Sequence, residues 1–225
     1  PDGAGPVTEA DIAVDEMLRD RLCEARPDYG WLSEETPDTS KRLQAERVFI
    51  VDPIDGTQAF IEGSSAFSHS LAVVEDGVVV AAVVYLPIRG KLYAAARGHG
   101  ATLNDMAIRA AGDCTLDQAE VLATKHTLAP DHWPRGVPPV IRAYRPSLAY
   151  RMALVGEGRF DGMVTFRPTW EWDIAAGALI IAEAGGQATD ATGAALRFNA
   201  PVPQVRGVLA GSAAVHGALL AARTG

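Results

Sequence analysis

The chain has 225 residues, 48% of them apolar, which suits one compact domain or two closely fused halves around a sizeable core. Its 28 acidic residues outnumber 20 basic ones, and the net charge of −8 argues against a nucleic-acid polymer as partner, because a phosphate backbone demands a basic face. A small anionic substrate stays open, since a bound metal inverts the local field.

The longest apolar stretch, Val78 to Ile88, falls short of the roughly 20 residues that cross a membrane, and no secretory signal is visible. Cys23 and Cys114 lie far apart and in no metal-ligand spacing, which fits a reducing cytoplasm better than a disulfide scaffold. The opening Pro1-Asp2-Gly3 carries no initiator methionine, so further N-terminal sequence is expected to precede it.

In chain order, Thr8-Glu9-Ala10-Asp11 reads as a helix start, with Thr8 as cap and Asp11 three residues on. Ile12, Met17, Leu18 and Leu22 continue the helix at its period until Pro27. Val48 to Val51 is a short β-branched run bounded by charge and by Asp-Pro, which predicts a buried strand. Ser70 to Val74 and Val78 to Leu86 flank Asp76-Gly77, a hairpin signal, because these residues tolerate the positive φ of a tight turn. Lys91 to Ala96 follows as a further strand.

The second half changes character. Ala119 to Thr124 and Val140 to Ala143 predict strands around a loop from Pro130 to Pro139, and Ser147 to Val155 predicts a helix. Gly162 to Phe166 is a strand, and Trp172 to Ala184 a helix stopped by Gly185-Gly186. Val205 to Ala210 and Ser212 to Ala222 complete the alternation, which points to layered α/β architecture.

Three acidic elements carry the chemistry. Asp52-Pro53-Ile54-Asp55-Gly56-Thr57 follows the Val48 to Val51 strand, and a tight turn there would bring Asp52 and Asp55 together. Two close carboxylates repel unless a cation lies between them. Trp172-Asp173-Ile174-Ala175-Ala176-Gly177 places Asp173 at a helix start, and Trp31-Leu32-Ser33-Glu34-Glu35 adds an acidic pair. Singly, these also read as a surface turn, a helix cap and a solvated face. Their order is what discriminates. His69, His99, His126, His132 and His216 are scattered at no ligand spacing and read as structural or surface residues.

The order Thr-x-x-Asp, Glu-Glu, Asp-Pro-Ile-Asp-Gly-Thr and Trp-Asp-x-Ala-Ala-Gly resembles the inositol monophosphatase superfamily, from Val7 to the C-terminal helix. Gly98-His99-Gly100-Ala101 resembles that family's glycine-containing stretch. The resemblance implies an α+β fold, an αβαβα layered sandwich. Residues 1–107 would form an α+β half with the metal-binding carboxylates, and 108–225 an α/β half that completes the site.

It further implies a magnesium-dependent phosphomonoesterase with two or three Mg2+ ions. Glu34 and Asp52 would hold one ion with the Ile54 carbonyl, and Asp52 would bridge to a second completed by Asp55 and Asp173. Glu34 would also face a weaker third. Thr57, bonded to Asp11, would activate the attacking water, and the Gly56 and Thr57 amides would meet the phosphate. Lithium sensitivity and a homodimer are consistent with the same resemblance. Independently of it, an all-oxygen donor set suits hard magnesium better than zinc.

Inositol monophosphatases carry an acidic residue seven positions before the Trp-Asp aspartate, where this chain has Phe166. Phe166-Arg167-Pro168-Thr169 is closer to bacterial 3'(2'),5'-bisphosphate nucleotidases, so that activity is the first expectation. Phe166 would then offer a surface to a base, and Arg167 or Arg151 would meet a second phosphate. An inositol-1-phosphate or histidinol phosphate phosphatase is the alternative on the same scaffold. A silent phosphate-binding protein would have no need of the full carboxylate set. Fructose bisphosphatase is less favoured, because its comparable motif usually ends in serine where this chain has Thr57.

Overall fold

The computed structural model describes residues 7–224, so Pro1-Asp2-Gly3 and the sequence expected before it lie outside the described residues. Helix α1 (Glu9–Ala25) starts as its sequence predicts. The Thr8 hydroxyl accepts from the Ala10 and Asp11 amides, and the Asp11 carboxylate accepts from the Thr8 amide at 2.9 Å, closing a capping box.

Strand β1 (Gly30–Ser33) runs parallel to β2 (Arg47–Asp55), and the five-residue helix α2 (Thr57–Ile61) follows at once. An antiparallel meander then extends the sheet through β3 (Ser68–Glu75), β4 (Val78–Leu86), β5 (Lys91–Ala96), β6 (Ala101–Leu103) and β7 (Met106–Ala107). The turn between β3 and β4 holds Asp76 at φ 50° and Gly77 at φ 76°, the paired positive angles of the predicted hairpin.

The second half supplies β8 (Glu120–Leu122), β9 (Ile141–Ala143), α3 (Leu148–Gly156), β10 (Gly162–Trp170), α4 (Glu171–Glu183), β11 (Gln187–Thr189), β12 (Gln204–Gly211) and α5 (Ala213–Arg223). Its sheet has the order β11-β12-β10-β8-β9. Ser147 and Ser212 cap α3 and α5 by accepting from the Tyr150 and Val215 amides. The Pro130 to Pro139 loop opens with a single 3-10 turn, Pro130–His132.

Helices α3 and α4 pack against each other and against strands of both sheets, so they form the middle layer. Helix α1 packs on β2 from outside the first sheet, and α5 packs on β12 from outside the second. The layers therefore run α, β, α, β, α, as expected. One apolar core fills the space around the middle layer, with Leu32, Val84, Met152, Met163, Ile174, Ile180 and Ala210 buried in it. A smaller cluster under α5 gathers Val121, Trp133, Val164, Leu209, Val215 and Leu219.

Candidate active site

A strand's side chains alternate, so Asp52 and Asp55 in a regular β2 would point to opposite faces. They do not, because the pairing of β2 with β3 slips between Asp52, opposite Ser70, and Asp55, opposite Ser68. Three steps along β2 answer two along β3. The extra residue is a β-bulge, a device that re-aims a side chain. The tight turn expected from Asp-Pro-Ile-Asp-Gly is thus a bulged strand end, and the turn itself falls at Gly56, with φ 96°.

The register of the parallel pair supplies the next carboxylate. Ser33 lies opposite Val51, and the Glu34 amide donates to the Val51 carbonyl, which sets Glu34 beside Asp52. Asp173 enters from the first turn of α4. Carboxylate oxygens of Asp52, Asp55 and Asp173 all lie within 4.8 Å of one another.

Buried hydrogen bonds aim these groups. Asp55 accepts from Ser147 Oγ at 2.6 Å, from the Ala149 amide at 2.5 Å and from the Leu148 amide at 3.2 Å, and so seats itself on the start of α3. Ser68 Oγ lies 3.0 Å from Ser147 Oγ. Since Ser147 spends its only proton on Asp55, Ser68 is the donor in that contact. Ser70 Oγ donates to the Trp172 carbonyl at 3.0 Å, tying β3 to α4 beside Asp173. Asp15, buried on α1, accepts at 2.5 Å from both Ser33 and Thr36 and holds the Glu34 segment from its other side.

The cost of gathering these charges is legible in their acidities. Burial, then the charges of Glu35, Asp55 and Asp11, lift Glu34 to about 7. Burial and Asp55 lift Asp173 to about 8. Asp52 is raised well above the usual range by burial, with Asp55 and Glu34 adding to it. Asp55 is raised by burial too, although its bonds to Ser147, Ala149 and Leu148 pull the other way. Without a cation the cluster keeps protons at neutral pH.

The residues present fit a divalent ion. Oδ1 of Asp52 is buried with no hydrogen-bond partner, an arrangement that costs stability unless something positive meets it. Every converging donor is an oxygen, as magnesium prefers.

Thr57 Oγ lies 3.2 Å from Asp11 Oδ1 and 3.0 Å from the Ile54 carbonyl, and its single proton serves one acceptor at a time. Asp11 therefore has two duties. Its Oδ2 closes the capping box and its Oδ1 faces Thr57.

Phe166 and Arg167 part company. The Phe166 ring packs against Trp133 at 5.2 Å and His132 at 5.1 Å, with the Arg223 guanidinium 4.9 Å above it. That is the α5 side of the second sheet, away from α3 and α4. Strand alternation puts Phe166 on the same face as Val164, so the ring packs on the small cluster under α5. Arg167 is exposed, and its charge is felt by Asp173. Arg151 is buried on α3, with its guanidinium 4.6 Å above the Tyr144 ring and within electrostatic reach of Asp55 and Arg167.

Sequence reading missed the support residues Ser68, Ser70 and Ser147. Ser147 carried one signal, its place before a helix, but nothing local connects it to Asp55. Glu171 was missed as well. It is fully buried and accepts from the Asn199 and Ala200 amides at 2.6 and 3.0 Å, anchoring the start of α4 next to Asp173. Buried Arg42 completes that anchor through Asn199 at 2.6 Å and Asp38 at 2.7 Å.

A five-layer α+β fold that converges carboxylates in this way defines a metal-dependent hydrolase of phosphoric monoesters. The profile of the inositol monophosphatase family matches residues 2–224. The inositol-1-monophosphatase of Rhizobium meliloti is 38% identical over 200 residues, covering 83% of this chain and 73% of that protein. A Thermotoga maritima protein described as a fructose-1,6-bisphosphatase/inositol-1-monophosphatase is 35% identical over 189 residues, 83% of this chain and 72% of its own. Inositol monophosphate-bound inositol monophosphatase-II of Staphylococcus aureus superposes with a TM-score of 0.86 at 25% identity, over 95% of this chain and 83% of that one. The chain belongs to the inositol monophosphatase family.

No helix among the described residues is long and apolar enough to cross a membrane.

Proposed function

We propose that this phosphatase hydrolyses inositol 1-phosphate or a closely similar polyol monophosphate with magnesium bound by Glu34, Asp52, Asp55, Asp173 and the Ile54 carbonyl. The observation that carries the reading is the Asp52, Asp55 and Asp173 convergence around a buried, partnerless Asp52 oxygen. When bound, magnesium supplies positive charge for the phosphoryl oxygens and acidifies water.

The chain's own residues do the rest. Thr57 turns its proton to Asp11 when the Ile54 carbonyl is taken by the metal, offers its oxygen lone pairs to the attacking water and can relay that proton to the carboxylate. The Gly56 and Thr57 amides lie at the turn beside this hydroxyl and meet the phosphate. Phosphoryl transfer asks mainly for positioning and charge stabilisation, which fixed carboxylates and amides provide. The α3 start holds Asp55 in place while the ester group leaves.

The inositol reading takes precedence over the nucleotidase one for two reasons. The named relative at 38% identity is an inositol-1-monophosphatase. The Phe166 ring, which motivated base stacking, is packed against Trp133 instead.

One observation favours a broader second reading. Among the described residues no carboxylate pairs with Arg151 or Arg167 within 4.0 Å. The exposed Arg167 guanidinium, whose charge is felt by Asp173, suits a substrate with a second anionic group, such as adenosine 3',5'-bisphosphate or fructose 1,6-bisphosphate.

Phosphate release from inositol 1-phosphate, histidinol phosphate and the two bisphosphates, at saturating magnesium, tests both. A higher kcat/KM for inositol 1-phosphate is expected. A preference for either bisphosphate would move the assignment to the second reading.

A further inference from the structure

Two of the five scattered histidines meet in space. His126 and His132 stand on consecutive 3-10 turns, and their Nε2 atoms lie 3.5 Å apart with the ring planes at 90°. That separation is at the long limit of a hydrogen bond, beyond the roughly 2.7–3.2 Å of an ordinary N–H···O contact. It is close to what two imidazoles on one tetrahedral ion require. With metal–nitrogen bonds of about 2.0–2.1 Å, their nitrogens stand roughly 3.3–3.4 Å apart.

The loop that presents the rings is stiff. Trp133, buried in the cluster under α5, donates from Nε1 to the Thr127 carbonyl at 2.9 Å. Thr124 Oγ caps the turn by accepting from the Thr127 amide at 3.1 Å. The His132 amide donates to the Ala129 carbonyl at 3.1 Å, and the His132 ring rests on Phe166. Little side-chain freedom is left to lose when a ligand arrives at His132, and His126 is exposed to the solvent that would deliver it.

We propose that His126 and His132 form a second metal site, for a borderline ion of tetrahedral preference such as Zn2+, with Cu2+ as its spectroscopic probe. It is separate from the carboxylate cluster, from which the second sheet divides it. Ligand softness sorts the two sites: imidazole nitrogen suits zinc and copper, whereas an all-oxygen set suits magnesium. Among the described residues the carboxylate cluster is the sole convergence of three or more acidic, His or Cys ligands, so water completes the coordination of the histidine pair. Binding should accordingly be moderate and reversible.

The test uses the full chain saturated with magnesium, to which one equivalent of Cu2+ is added and the electron paramagnetic resonance spectrum recorded. Superhyperfine splitting from two equivalent nitrogens is expected, a signature that the all-oxygen cluster does not give. His126→Gln, an exposed change that removes no packing, should reduce the coupling to one nitrogen. Adding His132→Gln should abolish it, with the magnesium-dependent kcat within twofold of the parent. Calorimetric titration with Zn2+ in excess Mg2+ should show one binding event that the double variant lacks. An oxygen-only spectrum for the parent, or two-nitrogen coupling that survives in the double variant, would overturn the site.

Discussion

Ser147 Oγ donates to Asp55 Oδ2 at 2.6 Å, although the two residues lie 92 positions apart. This bond joins the first sheet to the middle layer at the candidate metal site. A hydrogen bond to a charged group contributes about 1.5–3 kcal/mol. Ser147→Ala should therefore raise the half-saturating magnesium concentration roughly ten- to hundredfold, with kcat at saturating metal changed much less. Ser147→Thr, which keeps the hydroxyl, should restore most of the affinity. An unchanged magnesium requirement in the alanine variant would reduce the contact to a helix cap.

The raised acidities predict how pH acts on the metal-free protein. Asp173 at about 8 and Glu34 at about 7 compare with ordinary values of 3.8 and 4.5. Between those limits the folded state holds more protons than the unfolded one, so stability falls as pH rises. The contribution is fully present below the ordinary values and lost through about 7 to 8. Magnesium binds the deprotonated form, so its stabilisation runs the opposite way. The gap in Tm between magnesium and chelator should be larger at pH 8 than at pH 5.5, and equal gaps would refute the coupling. Asp52→Asn removes a buried charge at almost constant volume. In chelator at pH 8 it should melt no lower than the parent, yet show neither activity nor a magnesium shift.

Thr57 gives a sharper test of catalysis than of binding. Positioned proton transfer contributes typically 10²–10⁴-fold. Thr57→Val, close to the same size, should lower kcat by roughly that factor at saturating magnesium. Thr57→Ser keeps the hydroxyl within reach of Asp11 and should retain most of the rate. Comparable losses in both variants would mean that packing of the β-branched side chain, and not its proton, is what matters.

Phe166 and Arg167 are neighbours in sequence with opposite expected roles. Phe166→Ala should lower stability by about 2 kcal/mol, less than a fully buried aromatic would cost, because the ring is only partly buried. The ratio of kcat/KM between inositol 1-phosphate and a bisphosphate should not move. Arg167→Ala should leave stability alone and lower kcat/KM for a bisphosphate about tenfold, the loss of one charge-assisted bond. A specificity change confined to the Phe166 variant would return that ring to the substrate pocket.

By itself the sequence determined the longer elements and the identity of the acidic set. Capping at Thr8 and Ser212, the Asp76-Gly77 turn and the Gly185 stop are local events, governed by backbone angles and hydrogen bonds within a few residues. The order of the acidic motifs carried the family. What only the tertiary structure decided is how those groups converge. Strand alternation would have separated Asp52 from Asp55, and a bulge measured against β3 reverses that. The short strand Gly30–Ser33 has no period of its own to announce it, yet its register against β2 delivers Glu34. Ser147, Ser68 and Ser70 are ordinary polar residues until two sheets and a helix enclose them, when each must find a partner across the layers. Phe166 reads in sequence as a place in a motif, but which layer its ring meets depends on how β10 is seated in the second sheet. A β-strand's residues are legible one by one, whereas the face each presents is set by its neighbour.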